Sequence, residues 1–398
     1  MLDFNATDSV LKNLVYVRGS NSNAPRVLHI SPLPPPWGGV ASNISYLLES
    51  NAFADLDMAV LNTARKQYRE DVNPVKRIWH VRRLWQSLKV FRDTWRALRK
   101  FRPQIVHIQS AGDDLSAIRD MLLIPIAQWR GCLVVFQEYF WPDPAKFIGP
   151  KRTFKFFYKW LIPRADAILM STPLHIEKAA QMIDVSCAQY LPTTCAPPAA
   201  LPVKYMDQKD GKCQIVYVGR LSRLKGTYDL IAAIARLLKT SREFRFVLIG
   251  VGATDRDDEE VARLIAERGL GDHVVLAGRV SDEEKWRTLS ESQIMVFPSL
   301  GEQFGVTLLE GLAAGLPIVT TSVDYLPRLI TDCENGLIVP PGAPAELAEA
   351  LIALWSKPET RRRMSRNNRN KFETEFGLDV IAGRLRRIYE NLLAAPEQ

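Results

Sequence analysis

The fold of this chain is indicated most clearly by the stretch Pro298-Ser-Leu-Gly-Glu-Gln-Phe-Gly-Val-Thr-Leu-Leu-Glu310, which continues as Gly311-Leu-Ala-Ala-Gly-Leu-Pro317. The apolar run Ile294-Met-Val-Phe297 before it predicts a buried strand, and Pro298 ends that strand. Helical character over Val306 to Ala314 follows, with a glycine just ahead of the first turn. In open α/β sheets the loop of such a strand-loop-helix unit lies at the edge where ligands bind.

Two carboxylates, Glu302 and Glu310, lie eight positions apart in this stretch. The pattern places Glu302 in the loop after the strand and Glu310 one to two turns inside the helix. Free backbone N–H groups at the start of such a helix favour an anionic group, typically phosphate. Two solvated glutamates in an ordinary strand-loop-helix unit would show the same spacing, but the flanking Phe-Gly and Ala-Ala-Gly-Leu-Pro residues favour a functional site.

A second motif lies upstream in Val216-Tyr-Val-Gly-Arg-Leu-Ser-Arg-Leu-Lys-Gly-Thr-Tyr-Asp-Leu230, where a buried strand is followed by a Gly-Arg loop and a Lys-Gly helix start. In this order and at this separation, the two segments resemble the signatures of family 4 of the retaining, nucleotide-sugar-dependent glycosyltransferases. The resemblance covers the C-terminal half, and the N-terminal half matches loosely. It implies the GT-B fold, in which two Rossmann-like doubly wound domains face a central cleft.

Alternation of strand-like and helical stretches independently predicts doubly wound parallel sheets in both halves. The strand-like runs are Arg26–Ser31, Met58–Leu61, Ile105–Ile108, Leu133–Phe136, Ala167–Met170, Gln189–Leu191, Gln214–Val218, Phe244–Ile249, Val274–Ala277, Ile294–Phe297, Ile318–Thr321 and Leu337–Val339. A Pro- and Ala-rich stretch, Pro192 to Pro202, is the expected linker. The expected organisation is a loose tail (1–24), an acceptor-side Rossmann-like domain (25–200), a nucleotide-sugar-binding Rossmann-like domain (201–377) and a C-terminal helix that crosses back to the first domain (378–398).

The resemblance implies specific roles at the donor. Arg220 and Lys225 would compensate the charge of the diphosphate leaving group, because Arg supplies a bidentate fork and Lys a point charge. Glu302 would hydrogen-bond the hydroxyls of the donor sugar and Glu310 those of the ribose. Glu302, Arg220 and Lys225 are the expected catalytic residues. The complete expected donor-binding set is Gly38, Gly39, Gly219, Arg220, Lys225, Val280, Glu302, Phe304, Gly305, Val306 and Glu310.

The N-terminal half departs from the family pattern on the acceptor side. The family commonly has His-x-His where this chain has His107-Ile-Gln109, and a later Thr-x-His-Asp/Glu segment appears here as Val135-Phe-Gln137-Glu138. Glutamine cannot move a proton near neutral pH but can still hydrogen-bond a sugar hydroxyl. His107, Gln109, Gln137 and Glu138 are therefore the expected acceptor-side residues, with a buried strand histidine as the alternative for His107.

Charge is divided unevenly between the halves: residues 1–200 contain 25 Lys and Arg against 16 Asp and Glu, whereas residues 201–398 contain 27 against 28. The stretch Lys76 to Arg102 holds ten basic residues and one acidic residue, and its apolar residues have helical spacing. This profile predicts an amphipathic helix on an anionic membrane, with Lys151 to Trp160 as a second basic and aromatic patch. Alternatively, the apolar stripe packs into the core. No nucleic-acid motif accompanies the charge, so nucleic-acid binding is not expected.

Five scattered cysteines, with no Cys-x-x-Cys pair, fit a reducing compartment rather than a disulfide framework or structural zinc. Neither a signal peptide nor an uncharged run of about 20 residues is visible, so we expect a cytoplasmic protein that lies peripherally on the inner face of the plasma membrane. The expected activity is retaining, metal-independent transfer of a sugar from a nucleotide-sugar to a glycan acceptor, lipid-linked, in cell-surface or exopolysaccharide biosynthesis. The nucleotide-sugar is a substrate, so no cofactor is expected. A nucleotide-sugar epimerase or phosphorylase, and a catalytically silent GT-B subunit that binds glycan or a partner transferase, remain alternatives.

Overall fold

The computed structural model of the protein describes residues 13–18, 24–34, 39–64, 76–110, 114–139, 152–198, 213–252, 254–302 and 304–395. The chain divides into two compact units. The first comprises Met1–Thr194 with Leu378–Gln398, and the second comprises Cys195–Gly377. The division precedes the boundary expected after residue 200, since Cys195 is buried in the second unit close to Glu310 and Lys285.

One sheet forms the middle of the first unit. Its strands are Leu14–Arg18 (β1), Arg26–Ser31 (β2), Asp57–Asn62 (β3), Ile105–Ser110 (β4), Leu133–Glu138 (β5), Ala167–Met170 (β6) and Ala188–Tyr190 (β7). They are arranged in the order β1-β3-β2-β4-β5-β6-β7. Among the described strands, β1 runs antiparallel to β3 and the remaining pairings are parallel.

Strand β1 corrects the expectation that residues 1–24 form a loose tail. Leu14 pairs with Leu61 of β3, and the side chains of Leu14 and Val15 are buried. The run Leu14-Val-Tyr-Val17 is rich in β-branched and aromatic residues, which fit a half-buried pleated surface. As an edge strand β1 has one neighbour, and Tyr16 is exposed there.

Helices flank the sheet of the first unit. They are Gly39–Glu49 (α1), Lys76–Phe101 (α2), Asp114–Trp129 (α3), Arg152–Leu161 (α4) and Pro173–Ala180 (α5). Short 3₁₀ turns follow α1 at Asn51–Phe53 and α4 at Ile162–Arg164. On one face of the sheet, α3 packs between α2 and α4.

The second unit contains a parallel sheet. Its strands are Cys213–Val218 (β8), Phe244–Ile249 (β9), Val274–Gly278 (β10), Ile294–Phe297 (β11), Ile318–Thr321 (β12) and Gly336–Val339 (β13). The strand order is β10-β9-β8-β11-β12-β13. The direction of strand addition therefore reverses between β8 and β11. Ligands of doubly wound sheets bind outside the carboxyl ends of the strands at such a switch point.

The helices of the second unit are Thr227–Thr240 (α6), Asp255–Glu267 (α7), Asp282–Glu291 (α8), Val306–Ala313 (α9), Leu326–Leu329 (α10), Pro344–Trp355 (α11) and Pro358–Lys371 (α12). A π-helical turn, Phe372–Phe376, ends the unit. Strands β11 and β12 are buried along their whole length. Burial on both faces of a parallel sheet explains the continuous apolar run of β11. The buried threonine hydroxyls of β12 donate to backbone carbonyl oxygens of Phe297 and Ser299.

The C-terminal helix Leu378–Ala394 (α13) belongs to the first unit. It packs against α1 and the turn Asn51–Phe53, and its buried residues Leu385 and Tyr389 join the core beneath that helix. Arg386 adds a surface ion pair, with Nη2 lying 2.6 Å from the Asp55 carboxylate. The prediction of an α/β chain with two doubly wound parallel sheets is confirmed.

Candidate functional site

The two loops that carry the sequence motifs lie side by side at the switch point between β8 and β11. Because β8 and β11 are parallel neighbours, the loops after them leave the sheet at the same edge. The backbone N–H of Leu300 donates to the carbonyl oxygen of Leu224 at 2.8 Å, and the Ser299 hydroxyl donates to the same oxygen at 3.3 Å. Gly226 has φ +70°, and a Cβ there would collide with the carbonyl of Pro298. Only glycine lets the loops approach this closely.

Lys225 and Glu302 form an ion pair between Nζ and Oε2 across these loops. Their side chains are 18% and 14% exposed, so the pair is shielded from bulk water yet accessible to a ligand. The backbone N–H of Glu302 donates to the Asp324 carboxylate at 2.9 Å. Asp324, in the loop that follows β12, was missed by the sequence analysis. Its signal is an acidic residue shortly after a buried strand at the same sheet edge.

The Gly219-Arg220 backbone is held by buried hydroxyls. The Tyr217 hydroxyl donates to the carbonyl oxygen of Arg220 at 2.7 Å, and the Thr227 hydroxyl donates to Tyr217 at 3.3 Å. A Cβ at Gly219 would lie 3.0 Å from the Tyr217 hydroxyl oxygen, so glycine suits this position. The side chain of Arg220 is exposed at the switch point. A well-anchored loop thus presents an exposed cation to solvent.

Glu310 is buried inside α9, and its carboxylate is 2.7 Å from Lys285 Nζ of α8. Lys285 also lies 2.9 Å from Asp282. Burial raises the pKa of Glu310, and the ion pair with Lys285 opposes that rise. Burial alone would lower the pKa of Lys285, but the charges of Glu310 and Asp282 outweigh it and raise that pKa. The sequence analysis did not single out Lys285, because pairing between two helices is not visible in local spacing.

The start of α9 offers backbone donors near the switch point. Gly305 precedes it with φ +81° and no side-chain cap, and Val306 is its first residue. N–H groups in such a first turn favour anions. The ring of Phe304 is buried, stacked on Tyr325 at a centroid distance of 6.1 Å and edge-on to Phe376. Phe304 therefore anchors the loop through its side chain, and any donor contact is left to its backbone.

Gly39 and Val280, two of the expected donor-binding residues, lie on elements other than the two switch-point loops. Gly39 is the exposed first residue of α1, and Gly38 lies outside the described residues. In the second unit, Val280 follows the edge strand β10 and is half-buried. Gly278 turns the chain there with φ +65°, and its carbonyl accepts from Gly250 at 2.8 Å. Val280 thus lies two strands from β8, on the side of the sheet away from β11.

His107 is a buried strand histidine. It has no exposed surface, its Nδ1 is hydrogen-bonded to the Tyr389 hydroxyl at 2.6 Å, and its ring lies 5.0 Å from that of His29. Burial lowers the pKa of His107 well below its ordinary value and that of His29 to about 3. Both rings are neutral at physiological pH, and His107 connects the central strand β4 to the C-terminal helix.

Gln109, Gln137 and Glu138 lie beside one another on β4 and β5 and are also buried. Gln109 Nε2 donates to Gln137 Oε1 at 3.2 Å. The Tyr158 hydroxyl of α4 donates to Glu138 Oε2 at 2.7 Å. Burial raises the pKa of Glu138 to about 8, against the opposing effect of Tyr158. The structure brings these three together with His107, but their burial leaves little side-chain surface for an acceptor.

The apolar stripe of α2 divides between core and solvent. Near the C-terminal end of the helix, Leu98 is buried and Trp95 stacks on Trp129 of α3 at 5.2 Å. Further back, Trp85 is 69% exposed and Leu88 is 49% exposed. The C-terminal end of the apolar stripe therefore packs into the core, as in the alternative prediction. In the middle of the stripe, Trp85 and Leu88 are exposed. Within the described residues, no helix combines the length and apolar character needed to cross a membrane.

Helix α4 carries a second exposed aromatic face. Phe156 and Trp160 are 63% and 51% exposed and stack on each other at 6.4 Å. The guanidinium of Arg164 lies 4.1 Å from the ring centroid of Trp160. We use the name basic aromatic face for the exposed side chains Trp85 and Leu88 of α2, Phe156 and Trp160 of α4, and Arg164 of the turn that follows α4.

Comparison with known proteins finds relatives of the second unit. The family described as "Glycosyl transferases group 1" matches residues 206–371. The alpha-D-kanosaminyltransferase of Streptomyces kanamyceticus is 33% identical over 183 residues, which are 46% of this chain and 47% of that protein. The phosphatidyl-myo-inositol mannosyltransferase of Mycobacterium leprae is 30% identical over 180 residues, 45% of this chain and 46% of that protein. These matches span about half the length of the curated relatives.

Solved structures extend the likeness to both units. Sucrose-phosphate synthase from Thermosynechococcus elongatus superimposes with a TM-score of 0.70 at 19% identity, over 94% of this chain and 100% of that chain. The Anabaena protein HepE in complex with UDP has a TM-score of 0.67 at 14% identity, over 93% and 100%. At this identity the likeness establishes the fold. We conclude that this chain has the GT-B fold and that residues 206–371 form a glycosyl transferases group 1 domain, as the sequence resemblance implied.

Proposed function

We propose that this protein transfers a sugar from a nucleotide-sugar donor to a glycan acceptor with retention of the anomeric configuration. The observation that carries this proposal is the joining of the Arg220, Lys225 and Glu302 loops at the switch point of the second sheet, with Glu310 in the helix that follows. The nucleotide-sugar is a substrate in this reaction, and the proposal assigns no metal ion or separate cofactor.

The diphosphate is the group that this edge of the sheet suits best. Negative charge develops on it as the glycosidic bond breaks, and a prearranged cation stabilises such charge without reorganisation. Lys225 is already held at the loop junction by Glu302, and Arg220 projects from the neighbouring turn. The uncapped first turn of α9 adds backbone N–H donors. We assign the diphosphate to these three elements.

Carboxylates complete the donor site in this proposal. A carboxylate accepts hydrogen bonds and does not donate them, which suits a vicinal diol. Glu302, in the loop, would accept from the sugar hydroxyls, and Glu310, inside α9, would accept from the ribose. Binding of the donor diphosphate would draw Lys225 from Glu302, so the ion pair would be exchanged for contacts with the substrate.

The acceptor proposed for this chain is a lipid-linked glycan of cell-surface or exopolysaccharide biosynthesis. Two observations support it. Similar curated proteins include a phosphatidyl-myo-inositol mannosyltransferase and the O-antigen chain mannosyltransferase C of Escherichia coli. The basic aromatic face has the composition of a membrane-interface surface, with amphipathic rings beside cations. The protein would act in the cytoplasm, peripherally at the inner face of the plasma membrane.

A thermal-shift screen against UDP, GDP, ADP and their sugars tests the donor assignment. A ligand at about 100-fold its Kd adds roughly 2.7 kcal/mol to the free energy of unfolding, a measurable shift. Arg220→Ala and Lys225→Ala should each reduce this shift and slow turnover, whereas Arg236→Ala, an exposed cation of α6, should change neither. Wild-type binding and kinetics in both loop variants would refute the phosphate assignment. Nucleotide binding without transfer to any glycan would instead identify a catalytically silent subunit.

Co-sedimentation with liposomes tests the membrane proposal. Binding should rise with anionic lipid content and fall with salt, since cations near such a surface act together at about 1 kcal/mol each. Gln replacements at Arg82, Arg83, Lys89, Arg92 and Arg96 should reduce binding and spare nucleotide affinity. The matched control replaces five exposed cations of the second unit, Arg236, Lys239, Arg242, Arg245 and Arg268. Equal loss in both variants would leave α2 as an ordinary solvated helix.

A further inference from the structure

Lys285 lies between two parts of the proposed donor site. It is in the second turn of α8, the helix that begins immediately after the Val280 loop and is capped by the Ser281 hydroxyl. Its Nζ lies 2.7 Å from Glu310 Oε1, and the two side chains are 15% and 12% exposed. Lys285 therefore lies in the helix that follows Val280 and contacts the carboxylate expected to bind the ribose.

Charge at Glu310 depends on this contact. The carboxyl group lies inside a helix that packs on the sheet, where removal from water favours its neutral form. Lys285 opposes this effect by lowering the pKa of Glu310, whereas the negative charge of Asp282 on α8 raises that pKa. The buried thiol of Cys195 also lies close to the pair. Lys285 is thus the cation of this cluster that favours the ionised form of Glu310.

Ionisation decides what Glu310 can recognise. An ionised carboxylate has two oxygens with about four lone-pair positions, whereas a protonated carboxyl gives up part of that capacity and becomes a donor. The ion pair engages Oε1, so a ribose diol can bind the carboxylate while Lys285 stays in place. Hydrogen bonds to a charged acceptor are also stronger than those to a neutral one.

We propose that Lys285 is a positioning residue for ribose recognition, which holds Glu310 ionised and oriented toward the two hydroxyls of a bound nucleoside diphosphate. The inference rests on the proposed function, because it concerns the same donor site. Helix α8 would thus contribute to nucleotide affinity through the ribose, whereas Arg220, Lys225 and Glu302 act on the diphosphate and the sugar.

Titration calorimetry of the full chain with UDP, GDP and ADP between pH 6 and 9 tests this role. Lys285→Met should raise the Kd of the preferred diphosphate about tenfold near pH 6.5, the cost of weakening a charge-assisted hydrogen bond. The ratio of the variant Kd to the wild-type Kd should shrink as pH rises, because Glu310 then ionises without help from Lys285. Lys285→Arg should restore most of the affinity, and Lys239→Met on α6 should have no effect.

The 2′,3′-dideoxy diphosphate of the same base separates positioning from general damage. Wild type and Lys285→Met should bind this analogue equally, because it lacks the hydroxyls that Glu310 accepts. An equal loss for both ligands, or a loss that does not change with pH, would overturn the proposal. If Lys285→Met does not fold, Lys285→Gln and Lys285→Arg provide the same comparison. Failure of the wild type to bind any of the three diphosphates would instead refute the proposed function itself.

Discussion

Gly226 is the position at which one added methyl group should do most damage to the donor site. It has φ +70°, and a Cβ built there would lie 1.8 Å from the Pro298 carbonyl oxygen. Left-handed backbone costs a non-glycine residue about 1 kcal/mol, and forcing the loops apart adds about 1–3 kcal/mol. Gly226→Ala should therefore lower the free energy of unfolding by about 2–4 kcal/mol and weaken nucleotide binding.

Gly342 provides the matched control, because it has the same φ of +70° and nothing lies within 4 Å of the place that an added methyl group would occupy. Gly342→Ala should cost only the backbone part, about 1 kcal/mol, and leave nucleotide affinity unchanged. Urea unfolding of both full-length variants, with nucleotide titrations on each, gives the comparison. Equal destabilisation by the two substitutions, or unaltered nucleotide affinity in Gly226→Ala, would refute the claim that close packing of these loops builds the site.

Further predictions concern single side chains. Glu302→Gln should mainly slow transfer and Glu310→Gln should mainly raise the Kd of the free nucleotide; unchanged affinity in the second variant would contradict its ribose role. Glu138 has a folded pKa raised to about 8, so the folded state binds the extra proton and stability should fall as pH rises from about 4.5 to 8. Glu138→Gln should flatten that slope in urea midpoints measured across this range, and an unchanged slope would contradict it. His29 has a folded pKa lowered to about 3, so stability should be lost as pH falls from about 6.5, and His29→Gln should reduce that loss in the same assay.

Much of the second unit could be predicted from the sequence because its strands have a clear local pattern. Buried parallel strands are short apolar runs bounded by Gly, Pro and polar residues, and Phe244–Ile249, Ile294–Phe297 and Ile318–Thr321 were predicted with their observed bounds. The motif loops follow such strands, so their place at one sheet edge was also predictable. The edge strand Leu14–Arg18 was missed, because its short apolar run lies within a mainly polar stretch of the chain.

Contacts between distant elements could not be predicted in the same way. The ion pair of Lys285 with Glu310 joins two helices that are separated by a strand and a loop, and the contact of Asp324 with the Glu302 backbone depends on the β12 register. Burial of His107 and Gln109 is likewise a property of the assembled sheet and of the C-terminal helix over it. Local spacing identifies the residue types at these positions, and tertiary packing decides their partners.

The proposed function depends above all on binding of a nucleotide-sugar at the switch point of the second sheet. Hydrogen exchange of the full chain, measured with and without the nucleoside diphosphate that stabilises it most, tests this claim directly. We expect slowed exchange in residues 219–228 and 299–310, where the two loops lead into α6 and α9. Protection confined to the first unit, with both loops unchanged at saturating nucleotide, would contradict it.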